Sequence, residues 1–266
     1  MPTLLASDGC RVTYDVSGKG EALLLIPGLG GAASFWNDIV PLLVDRYKVI
    51  SFDHRGTGRS DRPLGKYSVS RIAEDAVEIL RAENVDAAHI VGHSTGGLVA
   101  QFIALDAPAL VRSLVISGSW EKTDARFVAM FEARLAVLRT AGPIAYQKLT
   151  HAIGFPSGFL EANTESLDRA IDNATDALSP PEVAAARIEM LLADERSGDL
   201  QRITARTLVI GATDDALIPF AHSRTLAAMI PGARLAVIDG AHFFPRVHPE
   251  RYAKTLRKFL EETDEQ

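Results

Sequence analysis

The amino-acid sequence predicts an α/β protein with a doubly wound, mostly parallel sheet that carries a helical cap. Short apolar runs such as residues 22–26 have the continuous hydrophobicity of strands buried on both faces. These runs alternate with helix-like segments over residues 1–118 and 202–266, as in the βαβ units of a parallel sheet. Residues 119–201 contain only helix-forming segments, broken by Gly-Pro and Ser-Pro-Pro. We therefore predict a core of residues 1–118 and 202–266 and an inserted cap, or lid, at 119–201.

The strands are predicted from two kinds of pattern. Residues 11–16 alternate polar and apolar side chains, which is typical of a half-exposed strand near a sheet edge, whereas the later runs are largely apolar. The predicted strands are residues 11–16, 22–26, 47–52, 89–91, 113–117, 207–210 and 234–238.

The helices are predicted from hydrophobic spacing. Residues 69–82, for example, place Ile72, Ala76, Ile79 and Leu80 on one face of an amphipathic helix. The predicted helices of the core are residues 36–43, 69–82, 95–105, 221–229 and 249–262. Those of the cap are residues 127–140, 142–153, 160–177 and 181–193.

Composition excludes several classes of function. The chain has 266 residues, 47% of them hydrophobic, and a net charge of -6 without a basic cluster, which argues against a nucleic-acid partner. It has neither a signal peptide nor a membrane-spanning apolar run, so we expect a cytoplasmic protein that contacts no membrane. Cys10 is the single cysteine and no histidine spacing matches a metal motif, so we expect no disulfide, metal or organic cofactor. The expected partner is a small-molecule substrate; the sequence leaves the oligomeric state open, a homodimer included.

The segment Gly92-His93-Ser94-Thr95-Gly96 joins a predicted strand to a predicted helix. A serine at such a sharp turn presents its hydroxyl away from the backbone, and the flanking glycines avoid collisions with neighbouring elements. The start of the helix adds unpaired N–H groups and a positive dipole end beside the hydroxyl. Ser94 is therefore the candidate nucleophile.

A nucleophilic serine needs a base and an acid that orients the base. His242 ends a late strand after Gly240-Ala241, and it is the preferred base among the seven histidines. Asp214 and Asp215 both follow an earlier strand; we favour Asp215 because Pro219 sets the register of the loop, and keep Asp214 as the alternative. Glu121 is a remote third candidate. We expect the rate to fall in acid as His242 protonates.

An oxyanion formed at the reacting carbonyl needs backbone N–H donors. Thr95 supplies one because it follows the nucleophile. Leu29 supplies the second from the glycine-rich turn Pro27-Gly28-Leu29-Gly30-Gly31 after the central strand.

The same turn also fits a different class of protein. Residues 28–33 match G-x-G-x-x-A after a buried strand, and Asp53 follows about twenty residues later, as in a dinucleotide-binding fingerprint. This alternative, an NAD(P)-binding oxidoreductase, leaves Ser94, Asp215 and His242 unexplained. A second alternative is a non-catalytic receptor that uses the same pocket.

These motifs together resemble the α/β-hydrolase superfamily over essentially the whole chain. Within it, Ile26-Pro27-Gly28-Leu29-Gly30-Gly31, the cap segment 131–146 and Asp214-Asp215-Ala216-Leu217-Ile218-Pro219 are most similar to the aminoacrylate or carbamate hydrolases of the Rut pathway. The 3-oxoadipate enol-lactonases are next. The resemblance implies an α/β-hydrolase fold and hydrolysis of an ester, lactone, amide-type or carbon–carbon bond. Pro27 departs from the histidine that many members have before the glycine.

Specificity in such proteins depends on the cap, and so do our predictions of substrate contacts. We predict that Trp120, Phe131 and Phe243 contact the substrate. Arg134 is interpreted as a solvated helical arginine rather than a ligand for a substrate carboxylate. His151 and His222 are expected at the surface of helices.

Overall fold

The computed structural model describes residues 1–173, 179–193 and 196–262, and within them the strands form one eight-stranded sheet. The strands are β1 (Thr3–Leu5), β2 (Arg11–Ser17), β3 (Glu21–Ile26), β4 (Tyr47–Phe52), β5 (Ala88–His93), β6 (Val111–Ser117), β7 (Thr207–Gly211) and β8 (Arg234–Val237). Their order is β1-β2-β4-β3-β5-β6-β7-β8, and only β1 and β2 pair antiparallel with their neighbours. The predicted mostly parallel sheet is confirmed.

Helices pack on both faces of this sheet. They are α1 (Val69–Ala82), α2 (Thr95–Asp106), α3 (Ala125–Gly154), α4 (Ser157–Asn173), α5 (Pro181–Ala193), α6 (Phe220–Met229), α7 (Phe244–Val247) and α8 (Pro249–Leu260). Helices α3, α4 and α5 all lie between β6 and β7 in the chain, and α3 packs against both of the others. Gly142, with φ 81° and Pro143 after it, divides α3 in two, at the break that the sequence predicts.

The central strands are apolar throughout because each face meets a different layer of helices. In β3, Leu24 and Ile26 belong to the apolar cluster that includes α1 and α2, whereas Leu23 and Leu25 belong to the cluster that includes α8. Side chains alternate between the two faces of a strand, so both sets must be apolar. The sheet thus positions its carboxyl-end loops from a core that is packed on both sides.

Two local features differ from the prediction. The predicted helix at 36–43 is wrong: two short 3₁₀ helices, Ala33–Trp36 and Val40–Leu42, take its place, because Pro41 has no N–H to donate and restricts the residue before it. Strand β1 was missed because three residues are too few to show a pattern. The predicted end of a cap helix at Ala177 lies outside the described residues, which have this helix as α4.

The turn after β4 is held by buried charges. Arg55 pairs with Asp75 on α1 at 2.7 Å, and the Asp75 carboxylate is fully buried. Arg55 also pairs with Asp8 at 2.7 Å. Two acids on separate elements therefore fix the backbone of residues 53–60, which lies next to the turn that follows β3. No helix in the described part of the chain is both long and apolar enough to cross a membrane.

Candidate active site

Ser94 lies at the sharp turn between β5 and α2. Its backbone has φ 54° and ψ -120°, a conformation that few residues other than glycine adopt. A Cβ on Gly92 would lie 2.0 Å from the Gly96 carbonyl oxygen, and one on Gly96 would lie 2.1 Å from the Ile26 carbonyl oxygen. Glycine is therefore required at both positions, as the sequence predicts, and the strained turn is held by its surroundings.

Three predicted residues form a continuous series of hydrogen bonds. His242 Nε2 lies 3.0 Å from Ser94 Oγ, and His242 Nδ1 lies 2.7 Å from Asp215 Oδ2. A carboxylate only accepts hydrogen bonds, so Nδ1 carries the ring proton and donates it to Asp215. This leaves Nε2 free to accept the proton of the Ser94 hydroxyl. All three side chains are buried.

The two adjacent aspartates have different tasks. Asp215 Oδ1 accepts hydrogen bonds from the N–H groups of Leu217 and Ile218, at 2.9 and 2.7 Å, so that its Oδ2 faces His242. Asp214 instead accepts from the N–H of Ala241 at 3.0 Å and from that of Gly240 at 3.3 Å. Asp214 thus fixes the loop that precedes His242 without touching its ring.

Glu121, the remote candidate for the acid, contacts another histidine. Its Oε2 lies 2.9 Å from Nδ1 of His222 on α6, and Asp124 Oδ2 lies 3.5 Å from the other ring nitrogen. His222 is only 5% exposed, so the expected surface position is wrong. His151, expected at the surface too, is also buried. The spacing of residues 121 and 222 gives no sign of this pair, which forms because the segment after β6 passes beside α6.

We expect this pair to make stability depend on pH. The hydrogen bond that His222 donates to Glu121 raises the pKa of His222 above its ordinary 6.5, against the opposing effect of burial. The stabilisation is complete below the unfolded pKa and is lost as pH rises through the folded one. Thermal unfolding of Glu121→Gln should therefore show a larger drop in Tm from wild type at pH 5.5 than at pH 9.

The exposed Glu132 on α3 provides a control for that experiment. Glu132→Gln also removes one carboxylate from the same region, but its side chain is at the surface. We expect its Tm difference from wild type to be small at both pH values. Equal drops for Glu121→Gln at pH 5.5 and pH 9 would contradict the charge pairing.

The two candidate oxyanion donors flank Ser94. Thr95 is the first residue of α2, and its N–H has no acceptor within the helix. The turn that contains Leu29 begins beside Ser94, since a Cβ on Gly28 would lie 3.1 Å from the Ser94 Cβ. The N–H of Leu29 donates to no group among the described residues. Both N–H groups are therefore available to a ligand.

The predicted substrate contacts lie in different environments. Trp120 and Phe131 are buried, and Phe127 packs between them with ring centroids 4.7 and 4.3 Å away. Phe243 is half-buried, 5.4 Å from the His242 ring and 4.7 Å from the ring of Phe155 in the cap segment. Phe243 is thus the one of the three whose ring packs on a residue of the hydrogen-bond series, and substrate contact by all three stays a prediction.

His93 packs against the ring of His242. It is fully buried, stacks on Phe35 with centroids 5.0 Å apart, and lies 5.0 Å from the His242 ring. Its Nδ1 lies 3.2 Å from Ser117 Oγ. Burial holds the pKa of His93 well below its ordinary value, so the ring is neutral beside His242.

Two arginines within residues 119–201, Arg134 and Arg187, are buried. Arg134 is 3% exposed, with its guanidinium 5.0 Å from the Phe131 ring and 4.8 Å from the Tyr146 ring, so the expectation of a solvated side chain is wrong. Sequence reasoning missed Arg187 altogether. The signal was its position four residues after Val183 and four before Leu191, on the buried face of α5.

The dinucleotide-binding alternative fails on two observations. Asp53 Oδ1 accepts the N–H of Ala33 at 2.7 Å, and its Oδ2 accepts from the N–H and Nε of Arg59. With both oxygens engaged and 2% of the residue exposed, Asp53 is not free to bind a ribose. The turn is followed by one short 3₁₀ helix, Ala33–Trp36, instead of the long helix that the fingerprint requires.

Comparisons with known proteins agree along nearly the whole chain. A family model described as the alpha/beta hydrolase fold matches residues 21–249. A protein of Azorhizobium caulinodans named putative carbamate hydrolase RutD is 36% identical over 253 residues, which cover 95% of this chain and 96% of that one. The structure of a hydrolase from Pseudomonas aeruginosa PA01 aligns with a TM-score of 0.89 at 28% identity and covers 98% of both chains. The enol-lactonase from Burkholderia xenovorans LB400 shares the fold, with a TM-score of 0.90 at 24% identity over 98% of this chain and all of that one.

Proposed function

The chain belongs to the alpha/beta-hydrolase family, and on that premise we propose that it is a serine hydrolase acting through an acyl-enzyme intermediate. Its substrate is a small molecule with a carboxylic ester, lactone or amide-type bond. The observation that carries this proposal is the series of hydrogen bonds from Ser94 through His242 to Asp215.

In the first half of the reaction, Ser94 Oγ attacks the carbonyl carbon of the substrate. His242 Nε2 accepts the hydroxyl proton as the carbon–oxygen bond forms, and then donates it to the leaving alcohol or amine. Asp215 holds the His242 ring in orientation and stabilises its transient positive charge. The carbonyl oxygen becomes an oxyanion, which accepts hydrogen bonds from the N–H groups of Leu29 and Thr95.

In the second half, water replaces the leaving group. His242 removes a proton from the water as its oxygen attacks the acyl carbon, and returns that proton to Ser94 Oγ when the acyl–serine bond breaks. The products are the free acid and the regenerated serine. Every proton transfer is made by residues of this chain and water.

We propose that residues 119–201 form a cap over this site. Contacts between the cap and the catalytic loops support the assignment. Arg126 donates a hydrogen bond of 2.7 Å to the Ala216 carbonyl, next to Asp215. The N–H of Phe243 donates one of 2.9 Å to the Gly154 carbonyl at the end of α3. The cap therefore touches the loops that carry both the acid and the base.

The relative named a putative carbamate hydrolase points to one class of substrate in particular, the carbamates. A carbamate has a carbonyl carbon bonded to both nitrogen and oxygen, and the same attack by Ser94 would cleave it. We therefore include carbamate-type bonds among the proposed amide-type substrates. Cleavage of a carbon–carbon bond stays an outcome of substrate screening.

A fluorophosphonate probe tests the proposal directly, because it reacts with serines activated by a base. We expect a single adduct on Ser94, located by peptide mass spectrometry, and at least about 100-fold slower labelling in His242→Gln. Ser119 is a matched control: it is buried nearby, but its Oγ has no partner among the described residues, so Ser119→Ala should not remove the adduct. A folded protein that binds small molecules but gives no adduct would favour the receptor alternative.

A further inference from the structure

Arg187 carries a buried positive charge that no described carboxylate balances. The residue is 2% exposed on α5, and no Asp or Glu of the described residues lies within 4.0 Å of its guanidinium. Two of its hydrogen-bond partners are backbone carbonyls: Nη1 donates to that of Arg55 at 2.6 Å and Nη2 to that of Leu29 at 2.9 Å. Burying an unpaired cation is costly, so its retention in α5 needs a reason.

The guanidinium stays charged despite its burial, whereas His54 is neutral. Burial lowers the pKa of Arg187 to about 10, which leaves it protonated at neutral pH. His54 Nδ1 lies 3.3 Å from Nη2, and burial holds the pKa of His54 well below its ordinary value. The neutral ring can therefore accept a hydrogen bond from the arginine instead of repelling it.

The Leu29 carbonyl belongs to a β-turn beside Ser94. The N–H of Gly31 donates to the Gly28 carbonyl at 2.9 Å, which makes Leu29 and Gly30 the two central residues of a β-turn. The two common forms of such a turn differ by rotation of the peptide between these residues, and the type II form needs a positive φ at Gly30. Gly30 does not have a positive φ, so the turn is in the type I form.

The local sequence does not select this form. Glycine adopts both signs of φ with similar ease, and at the third position of a turn it favours the type II form. A rotated peptide would carry the Leu29 oxygen to the opposite side of the turn and break its bond to Arg187. The arginine on α5 therefore supplies the preference that Gly30 lacks.

We infer that Arg187 is a positioning residue for the oxyanion hole: by holding the Leu29 carbonyl it anchors the backbone of Leu29, the residue whose N–H, in the preceding peptide, is the proposed oxyanion donor. This inference rests on the proposed function, in which Leu29 is an oxyanion donor. It makes the hole depend on the cap segment, because α5 lies between β6 and β7 and not in the core sequence that carries the turn. The unbalanced charge also favours a negative oxygen nearby.

The first test compares two arginine-to-methionine variants in hydrolysis of p-nitrophenyl acetate. Arg187→Met should lower kcat by about 10- to 100-fold, approaching the loss of one oxyanion donor, with KM within about twofold of wild type. Arg139→Met is the control, because Arg139 is an exposed cap residue paired with Glu189 on α5. Its kcat should stay within about twofold. A loss confined to KM, or equal losses in both variants, would overturn the inference.

A second test uses the turn itself. A Cβ on Gly30 would meet nothing within 4 Å, and alanine can adopt the φ that Gly30 has in the structure. The type II form needs a positive φ at this position, which alanine disfavours. Gly30→Ala should therefore disfavour the rotated turn. Added to Arg187→Met, it should raise kcat at least about tenfold more than it does when added to the wild type. Additive effects of the two substitutions would overturn the inference, because a merely structural arginine predicts no coupling.

Two arrangements keep the result unambiguous. If Arg187→Met does not fold, the same cycle is measured with Arg187→Lys, which keeps the charge and one donor and should lose less kcat. Fluorophosphonate labelling separates this inference from the proposed function. Failure to label Ser94 in the wild type would remove the proposed function, whereas a labelled, active wild type with an unimpaired Arg187 variant would remove only the role of Arg187.

Discussion

Ser94→Ala should reduce kcat/KM for p-nitrophenyl acetate by at least about 10⁴-fold, while the Tm stays within a few degrees of wild type. The substitution removes the atom that forms the acyl-enzyme, and no other described hydroxyl is hydrogen-bonded to His242. The residual rate would reflect ground-state binding and the oxyanion donors alone. Initial-rate kinetics with both proteins at equal concentration measure the ratio of the two kcat/KM values.

Ser119→Ala is the matched comparison for this result. It also removes a buried hydroxyl close to the elbow, where a Cβ on Gly97 would lie 2.5 Å from the Ser119 Cβ. Its rate should stay within about tenfold of wild type. If Ser94→Ala retained a tenth or more of the wild-type rate, the acyl-enzyme mechanism would have to be abandoned.

Asp215→Asn should lower kcat by about 10³- to 10⁴-fold, because it places the ring proton of His242 on the wrong nitrogen. Asp215 Oδ1 accepts hydrogen bonds from the N–H groups of Leu217 and Ile218. Only the amide oxygen of the asparagine can accept them, so it must take the place of Oδ1. Its NH₂ group then faces His242 Nδ1 and donates to it. The ring proton moves to Nε2, which can no longer accept the proton of Ser94.

Asp214→Asn separates that effect from a change of charge in the same loop. Among the described residues Asp214 accepts from the N–H groups of Gly240 and Ala241 alone, and an amide oxygen can still accept one of them. We expect a loss of about 1 kcal/mol in the free energy of unfolding and less than about tenfold in kcat. Comparable kcat losses in the two variants, measured on folded protein, would show that the ring orientation at His242 does not depend on Asp215.

Much of the core architecture could be predicted because its signals are local. A strand buried on both faces has to be apolar throughout, and β3 shows this in five consecutive residues, Ala22 to Ile26. The elbow at Ser94 needs glycine at fixed positions, so its spacing identifies it. Asp215 and His242 each follow a strand, in the chain order that the sequence pattern predicts for the candidate acid and base.

The parts that could not be predicted depend on contacts between distant segments. His222 and Glu121 are 101 residues apart, and neither has a neighbour in the sequence that reveals the other. Arg187 contacts the Leu29 carbonyl 158 residues away, so the sequence pattern predicts an arginine on a helix but not the group that it binds. The helix predicted at 36–43 failed for a local reason, since Pro41 outweighed the apolar spacing.

The separation of Ser94 from His242 has a consequence for folding. The two residues are 148 positions apart, and they meet only when β5, β6, β7 and β8 have paired in order. Non-local pairing of this kind is slow, because loop-closure entropy must be overcome before the contacts form. Under the proposed mechanism the serine therefore gains its base only after these strands have paired, and a chain that lacks residue 242 has no base to activate Ser94.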